Sequence, residues 1–226
     1  MRKFFEIGGL VAAAVLIAFG VTAIVMGVNG RSTVSTSLQS EYIVGAPDMT
    51  PTAIRAEAQK AGIASAVKDW PTQSVANQKI DNGAQARLMA QYMHIHALEA
   101  AGGFTYAQMG IYAAKPETPK AQLMAGGGTD NSAFALIDPQ TKQPVQNGAR
   151  QVWVTETALT TALNTSYMAD QLGLFGIVVG VALLLSGFGF AILAIGGALR
   201  NPETALAFIR RSTPSRNPKA PAVPVA

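Results

Sequence analysis

The stretch Leu172–Leu199, LGLFGIVVGVALLLSGFGFAILAIGGAL, decides the fold: it runs 28 residues without a charged side chain. A helix rises about 1.5 Å per residue and a bilayer's hydrocarbon core is about 30 Å thick, so this stretch crosses a membrane with length left for tilt. Packed as a water-soluble helix it would have no polar face to present. Ile7–Val28 repeats the pattern over 22 residues of apolar, Gly and Thr positions. Two readings of that first stretch compete. A cleaved signal peptide would need a small-residue site, which Val21-Thr22-Ala23 supplies. The apolar run continues through Ile24, Val25, Met26 and Val28, longer than a signal peptide needs, and an uncleaved signal anchor is the reading favoured.

Between the two stretches lies a segment of 143 residues, Asn29–Gln171, long enough to bury a core of its own. The expected fold is mainly α, with two transmembrane helices flanking a mostly helical extracytoplasmic domain. The boundaries follow from the same count: 1–6 as a cytoplasmic start, 7–28 and 172–199 as spans, 29–171 as the domain, and 200–226 as a cytoplasmic, Pro-rich basic tail.

Charge sets the orientation. The net charge is +4, yet Asn29–Gln171 carries 10 Lys/Arg against 11 Asp/Glu. The basic excess sits beside the spans, in Arg2 and Lys3 and in Arg200, Arg210, Arg211, Arg216 and Lys219. Short basic flanks stay in the cytoplasm, so both ends are placed there and the central segment outside. Arg31 alone works weakly against this placement. A nucleic-acid protein would carry its basic surface on the folded domain, so nucleic acid is not expected as a partner. The expected partners are the lipid bilayer, other membrane proteins or a second copy of the chain. The absence of cysteine removes disulfides, thiolate metal sites and thiol nucleophiles.

Along the central segment, Asn29–Tyr42 extends the first helix by several turns, and Tyr42-Ile43-Val44 reads as a short strand. Thr50-Pro51 is a helix start, a hydroxyl N-cap followed by proline at the first helical position, with Gly62 ending that helix. Trp70-Pro71 marks a turn. Asn82–Ala101 is the clearest helix, closed by Gly102-Gly103. Phe104–Met109 predicts a further short helix, and the prolines and glycines from Lys115 to Pro144 divide the next stretch into loops. From Ala149 neither residue type appears until Gly173, which predicts one helix running from the domain directly into the second span. Beyond it, Glu203–Arg211 reads either as a surface-lying amphipathic helix or as a frayed end. Ser212–Ala226, with four prolines, reads as disordered or polyproline-like, with no folded catalytic module expected in this tail.

Chemistry is thinly signalled. His94 and His96 are the two histidines. With Glu99 they match in kind the two-histidine, one-carboxylate set of non-haem iron sites. On a strand His94 and His96 would point the same way; on a helix they stand about 200° apart, while His96 and Glu99 are about 60° apart. Ordinary hydrogen bonding by both histidines is the favoured reading, and no residue is assigned a catalytic, cofactor-binding or metal role. Gly126-Gly127-Gly128 lacks the Lys-Ser/Thr of a phosphate loop. The spans hold no ionisable residue of the kind that marks proton relays and ion pathways. Gly176-x-x-x-Gly180, repeated in spacing by Ala182 and Ser186 and mirrored by Ala23 and Gly27, has the small-residue spacing that lets helices approach closely.

One block is distinctive: His96-Ala97-Leu98-Glu99-Ala100-Ala101-Gly102-Gly103-Phe104-Thr105-Tyr106-Ala107. Set between two spans, it resembles a group of small actinobacterial two-span membrane proteins of unknown function that often carry the label "aromatic ring-opening dioxygenase". The resemblance covers most of the chain and implies no established activity; the label implies a metal triad. Phe104 stands where such proteins often have a polar or basic residue.

These readings converge on a structural or interaction component of the cell envelope. A metal-dependent enzyme using His94, His96 and Glu99 is the alternative, and a receptor-like domain for an envelope ligand is a third.

Overall fold

Thr50 accepts a hydrogen bond from Ala53 N on its hydroxyl, and Pro51 follows at the first helical position, so the second helix begins where the sequence places it. The computed structural model describes residues 2–196. Among them are four α-helices: α1 (Arg2–Ser40), α2 (Pro51–Lys60), α3 (Gly83–Ala100) and α4 (Gly148–Ile195). One small antiparallel pair, β1 (Tyr112–Ala113) and β2 (Gly128–Thr129), joins Tyr112 to Thr129 and Ala113 to Gly128. Short 3-10 turns at Tyr106–Gln108, Lys120–Gln122 and Ser132–Phe134 complete the elements. The expected amphipathic helix at Glu203–Arg211, the proline-rich tail and the last residues of the second apolar stretch, 197–199, lie outside the described residues.

The chain divides into two compact units. Among the described residues, one joins 2–27 to 175–196; the other is Val28–Leu174. The helices α1 and α4 are long and apolar enough to be membrane spans. In each, 17% of the most apolar 18-residue window is buried. Phe175, Leu185 and Ile192 are 65%, 68% and 71% exposed, a surface that water would penalise and lipid would not.

The small residues do what their spacing predicts, with one shift. A Cβ on Gly180 would lie 2.6 Å from Ile24 Cγ1 and 2.7 Å from the Gly20 carbonyl oxygen. Gly176 faces Ala23 and Gly27, and Gly187 faces Ala13 and Ile17. The contact stripe is therefore Gly176, Gly180 and Gly187. Ala182 and Ser186 lie on the exposed side, where Ser186 Oγ donates to the Ala182 carbonyl one turn back. The heptad from 180 to 187 keeps a residue on the same face; the shift from 180 to 182 turns it away by about 200°.

The Val28–Leu174 unit is built around α3. Ala86, Ala90, Tyr92, Ile95 and Leu98 are buried in one cluster. Ile54 and Ala58 of α2, Ile63, Val67, Val75 and Ile80 of the α2–α3 connection, Leu38 of α1, and Trp153 and Leu163 of α4 join it, with Met49, Ala101 and Met109. Of the residues three and four apart on one side of α3, Tyr92 and Ile95 are buried, Leu88 packs at the edge, and Glu99 is exposed. Small alanines at 86 and 90 let neighbouring elements come close where Leu88 would not.

The anticipated strand at Tyr42–Val44 is reduced to isolated pairings, Val44 with Lys79 and Gly45 with Ala76. Gly45 lies so close to the Val75 carbonyl that no Cβ fits. The α4 helix starts one residue before the proline- and glycine-free run. Asn147 sets that start: its backbone oxygen accepts from Gln151 N, its Oδ1 accepts from Ala149 N, and its Nδ2 donates to the Gly110 carbonyl.

Candidate functional site

The polar chemistry of the Val28–Leu174 unit gathers on the sides of α3 that its apolar face leaves free. Because α3 is a helix, its two histidines leave it in different directions. His94 turns toward α4: Nδ1 lies 3.0 Å from Glu156 Oε1, and the ring meets Trp153 edge-on at 5.2 Å between centroids. A carboxylate only accepts, so this bond places the imidazole proton on Nδ1. Glu156 is buried and takes a second contact from Thr157 Oγ1 at 3.4 Å. Asp69, Arg87, Gln91 and Asn164 line the small polar cleft around this pair, of about 150 Å³. Arg87 Nη2 and Gln91 Nε2 both donate to Asp69 Oδ2.

His96 turns toward the start of α2. Its Nε2 lies 3.9 Å from Asp48 Oδ2. Glu57 of α2 completes a group in which one ligand atom from each of Asp48, Glu57 and His96 falls within 4.8 Å of the others. All three side chains are partly buried. Asp48 Oδ1 is enclosed and has no hydrogen-bond partner.

His94, His96 and Glu99 are therefore not gathered at one point. His94 belongs with Glu156, His96 with Asp48 and Glu57, and Glu99 is exposed. Asp48 and Glu57 carry no local signal that pairs them with His96. They stand 48 and 39 positions away, and only the return of the chain from α2 to α3 brings them together.

Two open apolar grooves flank α3. One, of about 510 Å³, is lined by Met93, His96, Ala97, Val152, Thr155 and Leu159 among others. The second, of about 390 Å³, runs between the end of α1 and α4, past Leu38, Ile43, Met89, Met93, Leu159 and Leu163. Met93 and Leu159 belong to both. Flexible methionines suit such a surface, since an unbranched thioether adapts to differing shapes.

The block from His96 to Ala107 forms the end of α3 and the turn beyond it. Gly102 and Gly103 take φ of +63° and +84°, a left-handed pair that ends the helix. The Phe104 carbonyl then accepts from Trp153 Nε1 at 2.9 Å, and the Arg150 guanidinium sits 4.0 Å over the Tyr106 ring. Phe104 contributes its backbone to this joint, while its side chain is 41% exposed.

No protein-family profile, curated protein or solved structure matches the chain.

Proposed function

We propose that the protein is a structural or interaction component of the cell envelope: an integral membrane protein with two spans, both ends cytoplasmic and Asn29–Gln171 outside. The observation that carries this reading is the uncovered apolar surface of α1 and α4. Lipid covers such a surface, and so do the helices of another membrane protein or of a second copy. The Val28–Leu174 unit supports the same role. Its net charge is close to zero, and its open grooves are apolar and methionine-bearing, suited to a protein or lipid partner rather than to nucleic acid. The orientation rests on the basic residues beside both apolar stretches.

Crosslinking with mass spectrometry in native membranes tests the role. Reproducible crosslinks from the Val28–Leu174 unit to another membrane protein or to a second copy are expected. Migration as a bare monomer in mild-detergent native electrophoresis, with no such crosslinks, would overturn it. Orientation has its own test, because the chain has no cysteine of its own. In intact spheroplasts, Lys120→Cys should react with a membrane-impermeant maleimide and Ser215→Cys should not. The opposite pattern would invert the topology.

A further inference from the structure

We propose that Asp48, Glu57 and His96 bind one divalent transition-metal ion. The three come from separate elements: the turn before α2, the body of α2, and the last part of α3. Their donors already lie within 4.8 Å of one another. Donors at about 2.1 Å from a shared zinc-like ion stand roughly 3 to 3.5 Å apart, so the three donors would draw closer by about 1 to 2 Å at most.

Two features set this group apart from an ordinary surface cluster. The 3.9 Å between His96 Nε2 and Asp48 Oδ2 is too long for a hydrogen bond and close to the spacing of two donors around one ion. Asp48 also carries, on its other oxygen Oδ1, an enclosed acceptor without a hydrogen-bond partner, while the side chain as a whole is 42% exposed. An acceptor removed from water without a partner costs about 1–3 kcal/mol, more when charged. Asp48 Oδ2 and Glu57 bring two negative charges, and neutral imidazole adds none, so a divalent ion balances the set.

The donor types narrow the ion. Imidazole with two carboxylates suits zinc, manganese, iron or cobalt, whereas calcium and magnesium favour all-oxygen shells and soft cuprous copper favours sulfur. Three protein ligands leave at least one position for water or another ligand. His96 also lines the larger apolar groove, so the ion would sit at that groove's edge.

The test uses the full chain, untagged, in detergent or nanodiscs, stripped with chelator and titrated separately with zinc and manganese by calorimetry. Metal content after dialysis is read by mass spectrometry. One equivalent of zinc or manganese per chain is expected, with thermal stabilisation on binding. His96→Ala and Glu57→Gln should each weaken binding at least about tenfold and lose the metal-dependent rise in Tm. His94→Ala, on the same helix but outside the group, should retain both. Helix content by circular dichroism shows that each variant is folded, and Asp48→Asn replaces any that is not. Absence of stoichiometric uptake overturns the proposal. So does uptake that survives in folded His96→Ala, or that His94→Ala abolishes equally. Neither result bears on the envelope role, which is read from crosslinks.

Discussion

Asp170 of α4 accepts a hydrogen bond from Arg31 Nε of α1 at 2.9 Å, across 139 positions of sequence. The single charge that seemed misplaced for the topology thus has a structural partner. Asp170 is nearly buried, with its side chain 9% exposed, and Gly83 at the start of α3 packs against it so closely that a Cβ there would collide. Arg31 is 41% exposed. Solvent screening reduces what the pair contributes, but removing Arg31 leaves a carboxylate in a site shaped to hold a paired one. Arg31→Met should destabilise the protein by roughly 1–2 kcal/mol, lowering Tm by several degrees. Asp170→Asn, which keeps the shape and an acceptor, should cost less. Thermal melts of the detergent-solubilised chain check the order; an equal effect of both would show that charge pairing contributes little.

Tyr92 gives a pH signature. Its ring is fully buried at the centre of the core, and its hydroxyl donates to the Gln73 carbonyl at 2.9 Å. Burial raises the phenol above its ordinary value of 10.0. Below about pH 10 both folded and unfolded chains keep the proton, so Tyr92 adds no pH dependence there. Above about pH 10 the unfolded chain releases it first, and stability falls as pH rises. Tyr92→Phe should cost about 1 kcal/mol at neutral pH, through the unpaired Gln73 carbonyl. It should also flatten the alkaline decline. Melts followed from about pH 8 to about pH 11 separate the two effects; an unchanged alkaline slope would remove Tyr92 as its source.

Gly103 and Gly148 make opposite predictions for the same substitution. Gly103 sits at φ +84°, and a Cβ there would lie 3.2 Å from Ile63 Cγ2. Alanine at this position should cost about 1–2 kcal/mol from the left-handed backbone alone. Gly148 opens α4 with nothing within 4 Å of its Cβ position. Alanine there should be neutral or stabilise by up to about 1 kcal/mol, through better helix propensity and a less flexible unfolded chain. Comparing the two Tm shifts checks whether the turn after α3 is as the structure has it.

What the sequence revealed was what local physics decides. The cap at Thr50-Pro51, the Gly102-Gly103 stop and the unbroken run into α4 are each settled within a few residues, and the helices follow. The two apolar stretches were equally plain, since length and the lack of charge suffice. What stayed hidden depends on distant returns of the chain. The burial face of α3 is one case: alanines at 86 and 90, not the larger Leu88, lie at its fully buried positions. The strand expected at Tyr42–Val44 found only single pairings, its partners lying more than 30 positions away. The grouping of His96 with Asp48 and Glu57 was likewise invisible, as no spacing rule links a loop carboxylate to a helix three turns long and a histidine beyond it.

The glycine stripe supplies the sharpest test of the helix pair. Between apolar helices in lipid, association relies on close packing, because hydrophobic burial offers little drive there. Gly180 makes that packing possible: its Cβ position is 3.0 Å from Ile24 N as well as close to the Gly20 carbonyl. Leucine at 180 must push the helices apart. With no native cysteine, a Gly27→Cys, Gly176→Cys double variant reports on the pair without background. The two positions are neighbours, with a Gly176 Cβ 3.7 Å from Gly27 Cα, within reach of a disulfide. Mild oxidation in membranes should crosslink this variant within one chain, and Gly180→Leu should reduce the yield severalfold. Ala182→Leu, on the exposed side, should leave it unchanged. Equal loss from both would mean the yield reports expression or insertion rather than packing. No loss from Gly180→Leu would mean that α1 and α4 do not meet through this stripe.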